Sequence, residues 1–323
     1  MAGASHDPQV IQWILDTRSL WPEARETRQL EIQGETQASR ALALLTQEER
    51  DQVLRFYHVR DAKLAIGSHL LKRYVISRFC QVPWWEAKVT RNERTKPIYR
   101  DPATGECPLD FNVSHQAGLV ALAAVHGYAG GSVDVGVDVV CTSERRERDH
   151  QMARAEGWPR FVDMHADVFA DSEASYLKYQ VLSAVPGLLP GATPDEVLDF
   201  KLRCFYTLWC LREAYVKMTG DALLADWLKS LEFRSFVPPT PTEALGVPAR
   251  AGDSGQVVTR HSIVFRGEPV ADANVCIQAI GPDYMCCTAV RTAPDAADGL
   301  RLRMGAFEMV ALEELVSFAE SRL

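Results

Sequence analysis

The chain has 323 residues, of which 47% are hydrophobic and 24% are charged, a balance typical of a globular protein and not of a disordered one. Its formal net charge of −8 excludes a general electrostatic attraction to nucleic acid. None of its eight cysteines belongs to a CxxC pair, which disfavours structural zinc, and so few cysteines in a chain of this size do not make a disulfide scaffold.

The two ends of the chain bear on location. Residues 1–10 lack the basic and apolar regions of a signal peptide, and the longest apolar run, at 119–125, is too short to cross a membrane. We therefore expect a cytoplasmic protein without membrane contact. The final Ser321-Arg322-Leu323 differs by one residue from the Ser-Lys-Leu peroxisomal address, and a frayed helix end is the simpler interpretation.

The first part of the chain predicts a strand followed by helices. A short apolar run at 13–17 predicts the strand, and the capping-box residues Thr46 and Glu49 predict a helix that begins near Gln47. Apolar residues at helical spacing predict a longer helix over 61–79.

Strands dominate the next part. Apolar runs predict strands at 111–113, 119–125 and 133–140. Because three glycines stand between the last two runs, we expect those two strands to pair as an antiparallel hairpin.

The rest of the chain predicts helices and then a meander. Helical patterns cover 161–169, 171–179 and 200–219, and Gly220 stands where a left-handed residue often ends a helix. Three meander strands and a closing helix follow, at 257–265, 273–280, 285–291 and 309–323. Strands and helices without strict βαβ alternation predict an α+β fold.

A carboxylate, Asp138, lies inside the apolar strand Gly136-Val137-Asp138-Val139-Val140. If it is buried, it must be paired, hydrogen-bonded or metal-bound, because an isolated charge is costly to desolvate. The alternative is an edge-strand aspartate whose carboxylate reaches water.

Glu213 and Lys217 are four residues apart on a predicted helix and therefore share a face. A buried stripe is predicted on the same helix at Leu208, Leu211, Tyr215 and Met218. Taken alone, the pair could be a surface ion pair of little energetic value. Two half-buried carboxylates on separate elements, one beside a lysine, suit a hard cation such as Mg²⁺ together with a phosphate.

A basic stretch precedes a polar strand. Five cations occur within thirteen residues, at Lys88, Arg91, Arg94, Lys96 and Arg100. Arginine and lysine bind phosphate through charge-assisted hydrogen bonds, although a solvated charged loop would have the same composition. In Asn112-Val113-Ser114-His115, a hydroxyl and an imidazole could donate to a phosphate, and a structural histidine is the alternative.

Together these segments resemble the 4′-phosphopantetheinyl transferase superfamily, in particular its two-lobed surfactin-synthetase-activating type and the fungal broad-range members. The likeness covers about residues 45 to 290. The family's motifs are a K-P pair, an N-(I/V)-S-H segment, a G-(I/V)-D strand and a W-x-x-K-E-(A/S)-x-x-K helix. They stand here, in the family's order, as Lys96-Pro97, Asn112 to His115, Gly136 to Asp138 and Trp209 to Lys217.

Two residues depart from the family pattern. The lysine before the helix glutamate is Arg212. The second acid that many bacterial members place two residues after the strand aspartate is Val140, so a metal shell like theirs would be one carboxylate short.

The resemblance implies a pseudo-dimer of two similar α/β lobes with the active site in the cleft between them. We place the N-terminal lobe, which contributes to CoA binding, at 1–132 and the C-terminal lobe, with the metal and catalytic residues, at 133–323. The implied reaction moves 4′-phosphopantetheine from coenzyme A to a serine of acyl, peptidyl or aryl carrier proteins, as in a holo-acyl-carrier-protein synthase. The implied metal is Mg²⁺, with Mn²⁺ as an alternative, and the implied state is a monomer.

The resemblance also implies roles for individual residues. Asp138 and Glu213 would hold the metal ion, and Glu213 would act as the general base, directly or through water. Lys217 would balance a phosphate and orient Glu213. The groups that would bind coenzyme A are Arg55, Arg91, Arg94, Lys96, Asn112, Ser114, His115 and Lys217.

Other functions stay open at this point. Val140 and Arg212 could mark a catalytically decayed relative that only binds CoA. A different CoA-dependent transferase would consume CoA without modifying a carrier, and a scaffold protein would bind no ligand.

Overall fold

The structure is a computed structural model that describes residues 8–31, 36–128, 133–185, 187–188, 190–221, 225–241, 256–292 and 302–323. Helices and sheets are mixed along the chain without strict alternation, which confirms the α+β class. Within these ranges no helix has both the length and the hydrophobicity that a membrane span requires. The sequence also predicts a Pro-, Gly- and Ala-rich surface loop over 238–255, and its residues 242–255 lie outside the described residues.

The described residues contain thirteen strands and nine α-helices. The strands are β1 (Gln9–Asp16), β2 (Thr90–Arg91), β3 (Pro97–Ile98), β4 (Leu109–Gln116), β5 (Leu119–His126), β6 (Val133–Cys141), β7 (Leu231–Arg234), β8 (Val257–Val258), β9 (Ser262–Phe265), β10 (Glu268–Pro269), β11 (Ala273–Ile280), β12 (Tyr284–Thr292) and β13 (Glu308–Met309). The helices are α1 (Gln37–Ala43), α2 (Gln47–Leu54), α3 (Val59–Phe79), α4 (Arg146–Glu156), α5 (Trp158–Asp163), α6 (Asp171–Tyr179), α7 (Val181–Ala184), α8 (Pro194–Thr219) and α9 (Leu312–Glu320).

Two four-stranded sheets organise the molecule. The first has the order β13-β1-β5-β4 and packs against α3, and the second has the order β6-β12-β11-β8 and packs against α8. Their other faces share a central apolar layer, to which β5 contributes Ala121 and Ala123 and β6 contributes Val135, Val137 and Val139. A smaller sheet, β10-β9-β7, and the ribbon β2-β3 complete the strands.

The predicted hairpin between 119–125 and 133–140 is wrong. β5 pairs instead with β4, through a tight turn in which Ala117 and Gly118 both have positive φ angles, 47° and 89°. Two such residues match the twist of antiparallel strands, so the hairpin forms one strand earlier. The chain then passes to the second sheet, where β6 pairs with β12.

Several predicted elements have shifted limits. The helix predicted at 200–219 begins at Pro194, because Thr193 and Glu196 form a capping box around a proline in the first turn. Gly220 ends it in the left-handed region, as predicted. The helix predicted at 161–169 divides into α5 and a 3₁₀ turn at Ala166–Val168. The segment predicted as one strand at 257–265 divides between two sheets.

The end of the described chain returns to the first sheet. β13 pairs in parallel with β1, and Leu315 and Val316 of α9 are buried in the same core as α3. Residues 302–307 lie between the sheets on the way, where the backbone of Gly305 donates to Gln12 and that of Phe307 donates to Gln278.

Candidate active site

The site begins with a close contact between β6 and α8 at Gly136. A Cβ atom at this position would lie 2.0 Å from the carbonyl oxygen of Ala214 and 2.3 Å from the amide nitrogen of Met218. Only glycine therefore allows the helix backbone to rest directly on the strand. This contact brings the face of α8 that carries Glu213 and Lys217 next to Asp138.

Asp138 is buried, with 5% of its surface exposed, and it is not the solvated aspartate of the alternative interpretation. Its Oδ1 accepts a hydrogen bond from Ser114 Oγ at 2.9 Å and one from Lys217 Nζ at 2.6 Å. Lys217 Nζ also donates to Ser114 Oγ at 2.9 Å. Three elements, β4, β6 and α8, thus meet in one polar cluster.

β4 reaches this cluster because its side chains cover the free edge of β6. Asp110 Oδ2 accepts from Val135 N at 2.6 Å, Asn112 Oδ1 accepts from Val137 N at 3.3 Å, and Gln116 Oε1 accepts from Cys141 N at 3.1 Å. These three side chains and Ser114 alternate along β4, so all four point to the same face. We call Asp110, Asn112 and Gln116 the edge-covering residues.

Glu213 is half-buried beside this cluster, and in the described chain no hydrogen bond or ion pair holds its carboxylate. Burial and the neighbouring Asp138 charge raise the pKa of Glu213 to about 7, although Lys217 opposes the shift. Burial alone would lower the pKa of Lys217, but the Asp138 carboxylate raises it, so Lys217 stays charged. A carboxylate whose pKa lies near neutral pH can accept a proton at physiological pH.

Asp138 and Glu213 are the carboxylates of the site that could hold a divalent cation of the Mg²⁺ type. Mg²⁺ is commonly bound by one or two protein carboxylates and completed by water and substrate phosphates. Among the described residues there is no third acid, histidine or cysteine to complete a protein-only site. Val140, the departure from the family pattern, is buried in the core beneath α8.

The structure gives several predicted phosphate-binding residues other partners. Lys96 is buried and donates to Asp110 Oδ2 at 2.7 Å. Arg94 donates to the carbonyl oxygen of Thr219 at 2.6 Å, at the end of α8. Asn112 is one of the edge-covering residues. These three side chains support the site's framework.

The other predicted phosphate-binding residues are more accessible. Arg55 lies exposed at the end of α2, and Arg91 is exposed while donating to the carbonyl of Thr95. His115 follows Ser114 on β4 and therefore points to the opposite face of the strand. Desolvation and the charges of Lys217 and Lys72 lower its pKa. Ser114, Asp138, Glu213 and Lys217 are therefore the predicted residues that the fold brings together, and His115 lies within the electrostatic field of Lys217.

Lys72 of α3 is not among the residues predicted to bind coenzyme A; the sequence suggests it, with Lys63 or the loop after residue 219, only for the surface that receives the carrier protein. It is half-buried, and burial and its cationic neighbours lower its pKa to about 8. Its position on α3 is the sequence signal that could have identified it. Along one face of this helix, at helical spacing, stand Asp61, Ala65, Ser68 and Lys72.

Arg212 points away from the site. It is 1% exposed, and its Nη1 donates to Glu173 Oε2 and to the carbonyl oxygen of Leu231, both at 2.7 Å. The other oxygen of Glu173 accepts from Phe233 N at 2.7 Å. This departure from the family pattern is therefore part of a buried core network, in which Arg212 Nε alone lacks a hydrogen-bond partner among the described residues, and it belongs to that network and not to the carboxylate site.

Comparison with known proteins identifies the class to which this fold and site belong. Family models match "4′-phosphopantetheinyl transferase, N-terminal" over residues 34–127 and "4′-phosphopantetheinyl transferase superfamily" over residues 134–255. The chain belongs to the 4′-phosphopantetheinyl transferase superfamily, which confirms the resemblance.

Relatives match nearly the whole chain. 4′-Phosphopantetheinyl transferase 1 of Fusarium mangiferae is 48% identical, over 99% of this chain and 98% of its own. The 4′-phosphopantetheinyl transferase of Aureobasidium melanogenum is 35% identical, over 95% and 96%. The L-aminoadipate-semialdehyde dehydrogenase-phosphopantetheinyl transferase of Mus musculus is 24% identical, over 86% and 80%.

Proposed function

We propose that this protein transfers 4′-phosphopantetheine from CoA to a serine hydroxyl of acyl, peptidyl or aryl carrier proteins and releases adenosine 3′,5′-bisphosphate. Membership in the superfamily supports the reaction. The observation that carries the mechanism is Glu213, a half-buried carboxylate without a protein partner among the described residues, beside Asp138 and Lys217.

We propose that the reaction takes place between two lobes. The first would contain the β13-β1-β5-β4 sheet with residues 302–323, and the second would contain residues 133–292. The lobe boundary expected at 132–133 is kept, but the C-terminal segment is assigned to the first lobe because α9 shares its core. The polar cluster lies where β4 of the first lobe meets β6 and α8 of the second.

Glu213 would accept the proton of the carrier serine, directly or through water. The serine oxygen then forms a bond to the phosphorus that carries the pantetheine arm. The bond from that phosphorus to the bridging diphosphate oxygen breaks, and adenosine 3′,5′-bisphosphate leaves. The pKa of about 7 for Glu213 suits this role, because a base near the working pH is both available and strong enough.

Lys217, Ser114 and Asp138 would prepare the site for the phosphates. Lys217 and Ser114 fix the orientation of Asp138 by two hydrogen bonds to Oδ1. His115 and Arg91 would donate to phosphate oxygens. Bound at Asp138 and Glu213, Mg²⁺ or Mn²⁺ would neutralise charge that develops on the diphosphate.

Intact mass spectrometry of apo carrier proteins, incubated with the protein, CoA and Mg²⁺, tests the proposal. The carriers should include one from an aminoadipate-reductase, because the name of the mouse relative points to that class. We expect a mass gain of one phosphopantetheine arm. Glu213→Gln should reduce the rate at least about 100-fold, because general-base catalysis typically contributes that much, and EDTA should abolish it.

Glu147→Gln, in the first turn of α4, is the matched control and should react like the unchanged protein. Absence of modification with CoA binding intact would favour the decayed relative. CoA consumption without carrier modification would favour a different transferase. Cytoplasmic location, a monomeric state and the minor peroxisomal alternative stay predictions.

A further inference from the structure

Two of the cations expected to bind CoA phosphates are already engaged. Lys96 is paired with Asp110 at 2.7 Å, and Arg94 covers Gly220 and donates to Thr219 at 2.6 Å. Asp110 neutralises the charge of Lys96, whereas Arg94, like Arg91, donates to a neutral carbonyl and keeps its charge. With one expected charge lost, a ligand as anionic as CoA gains from positive charge on another element.

Lys72 supplies such a charge from α3. It is half-buried, and no residue of the described chain forms a hydrogen bond or ion pair with its ammonium group. The nearby carboxylate of Glu49 is already engaged, since it accepts from Arg73 at 3.0 Å and lies 3.3 Å from His69 Nδ1. Lys72 thus differs from Arg73, its buried neighbour, whose terminal nitrogens donate to Glu49 and to main-chain carbonyls.

Charges of both signs lie around Lys72, two arginines and the engaged carboxylate of Glu49. Arg91 and Arg73 both repel its ammonium group, and His115 in turn lies within the field of Lys72 and Lys217. The face of α3 next to Lys72 carries Ala65 and Ser68, which are partly exposed and small, so the helix presents little bulk there. Half-buried cations without a counter-ion are costly unless an anion arrives.

We propose that Lys72 binds a phosphate group of CoA, together with Arg91 and His115. This inference rests on the proposed function. It gives Lys72, a residue outside the basic stretch, the phosphate-binding role that was expected of Lys96 and Arg94. Both the 3′-phosphate and the diphosphate of CoA have the chemistry that this cluster selects, and the test separates them.

Lys72→Met is compared with Lys201→Met, which removes another half-buried lysine, on α8 and far along the helix from Glu213. Isothermal titration with CoA and with 3′-dephospho-CoA measures affinity, and carrier modification measures KM and kcat. We expect Lys72→Met to weaken CoA binding about tenfold or more, as for loss of one charge-assisted hydrogen bond. This loss should appear in KM and leave kcat little changed.

Thermal unfolding keeps the test independent of catalysis. Lys72→Met should raise the Tm of the free protein, because an unpaired cation is removed, and reduce the rise in Tm that CoA causes. A loss for CoA but not for dephospho-CoA assigns the 3′-phosphate, and an equal loss for both assigns the diphosphate. If Lys72→Met binds CoA like Lys201→Met, the inference is overturned while the proposed function stands. If the unchanged protein binds no CoA, both are overturned.

Discussion

Glu49 joins the first turn of α2 to the middle of α3. Its Oε2 accepts from the backbone of Thr46 at 2.9 Å, and its two oxygens accept from Arg73 at 3.1 and 3.0 Å. Burial alone would raise the pKa of Glu49, but the hydrogen bonds from His69 and Thr46 and the charge of Arg73 lower it to about 2. The carboxylate is therefore held in its charged form.

Glu49→Gln should lower the free energy of unfolding by about 3 kcal/mol near neutral pH. The folded pKa lies below the unfolded value of 4.5, so this contribution is present above pH 4.5 and is lost as the pH falls towards 2. Urea unfolding between pH 3 and 7 measures the difference. Glu48→Gln, the exposed neighbour, should show almost none, and a loss that stays constant with pH would contradict the argument.

Sequence patterns identified some site residues and could not identify others. Asp138 stands between valines on a strand, so its neighbours indicate burial and a partner but also allow an edge-strand aspartate in water, and the structure decides between the two. The partners of Lys96 and Arg94 are Asp110 and Thr219, which only the folded chain brings near. A basic stretch therefore predicts charge but does not show which charges are free to bind a ligand.

The contact of β6 with α8 positions Glu213 and Lys217 beside Asp138. Because a Cβ at Gly136 would meet helix backbone at 2.0 Å, no rotamer change could relieve the clash. The helix itself would have to move, and Glu213 and Lys217 would move with it.

Gly136→Ala should therefore reduce both stability, by about 3 kcal/mol, and the rate of carrier modification. Gly305→Ala is the control, since a Cβ there meets nothing within 4 Å. Denaturant unfolding and the carrier assay check the two effects. An active, fully stable Gly136→Ala protein would show that the helix can shift without cost.

The ends of helices could be predicted from local sequence signals, whereas the pairing of strands could not. The capping box at Thr46 and the left-handed Gly220 could be predicted because each acts within a few residues. The pairing of β6 with β12 joins segments more than 140 residues apart, and glycine content between neighbouring strands gave the wrong partner. Sheet order depends on the packing of both faces, which a local pattern does not contain.

The C-terminal segment connects the two sheets of the whole molecule. Residues 302–307 form hydrogen bonds with both β11 and β1. Helix α9 then completes the core around α3. The first sheet's core is thus built from both ends of the chain, so the two sheets should unfold together.

Leu315→Ala should lower the free energy of unfolding by about 3 kcal/mol, because Leu315 is 0% exposed in that core. Leu323→Ala, at a position 64% exposed, should change it little. Calorimetry should show one transition for both proteins. Two separate transitions would mean that the segment does not couple the sheets.

The edge-covering residues have a consequence beyond the active site. A strand with free N–H groups at the edge of a sheet is a template on which another chain can add a strand. In this protein Asp110, Asn112 and Gln116 occupy those donors on β6, from the same strand that presents Ser114 and His115. Substitutions in β4 that remove these side chains would therefore free the backbone donors of β6 for strand addition by another chain. The reaction and the resistance of the protein to aggregation thus depend on the same strand.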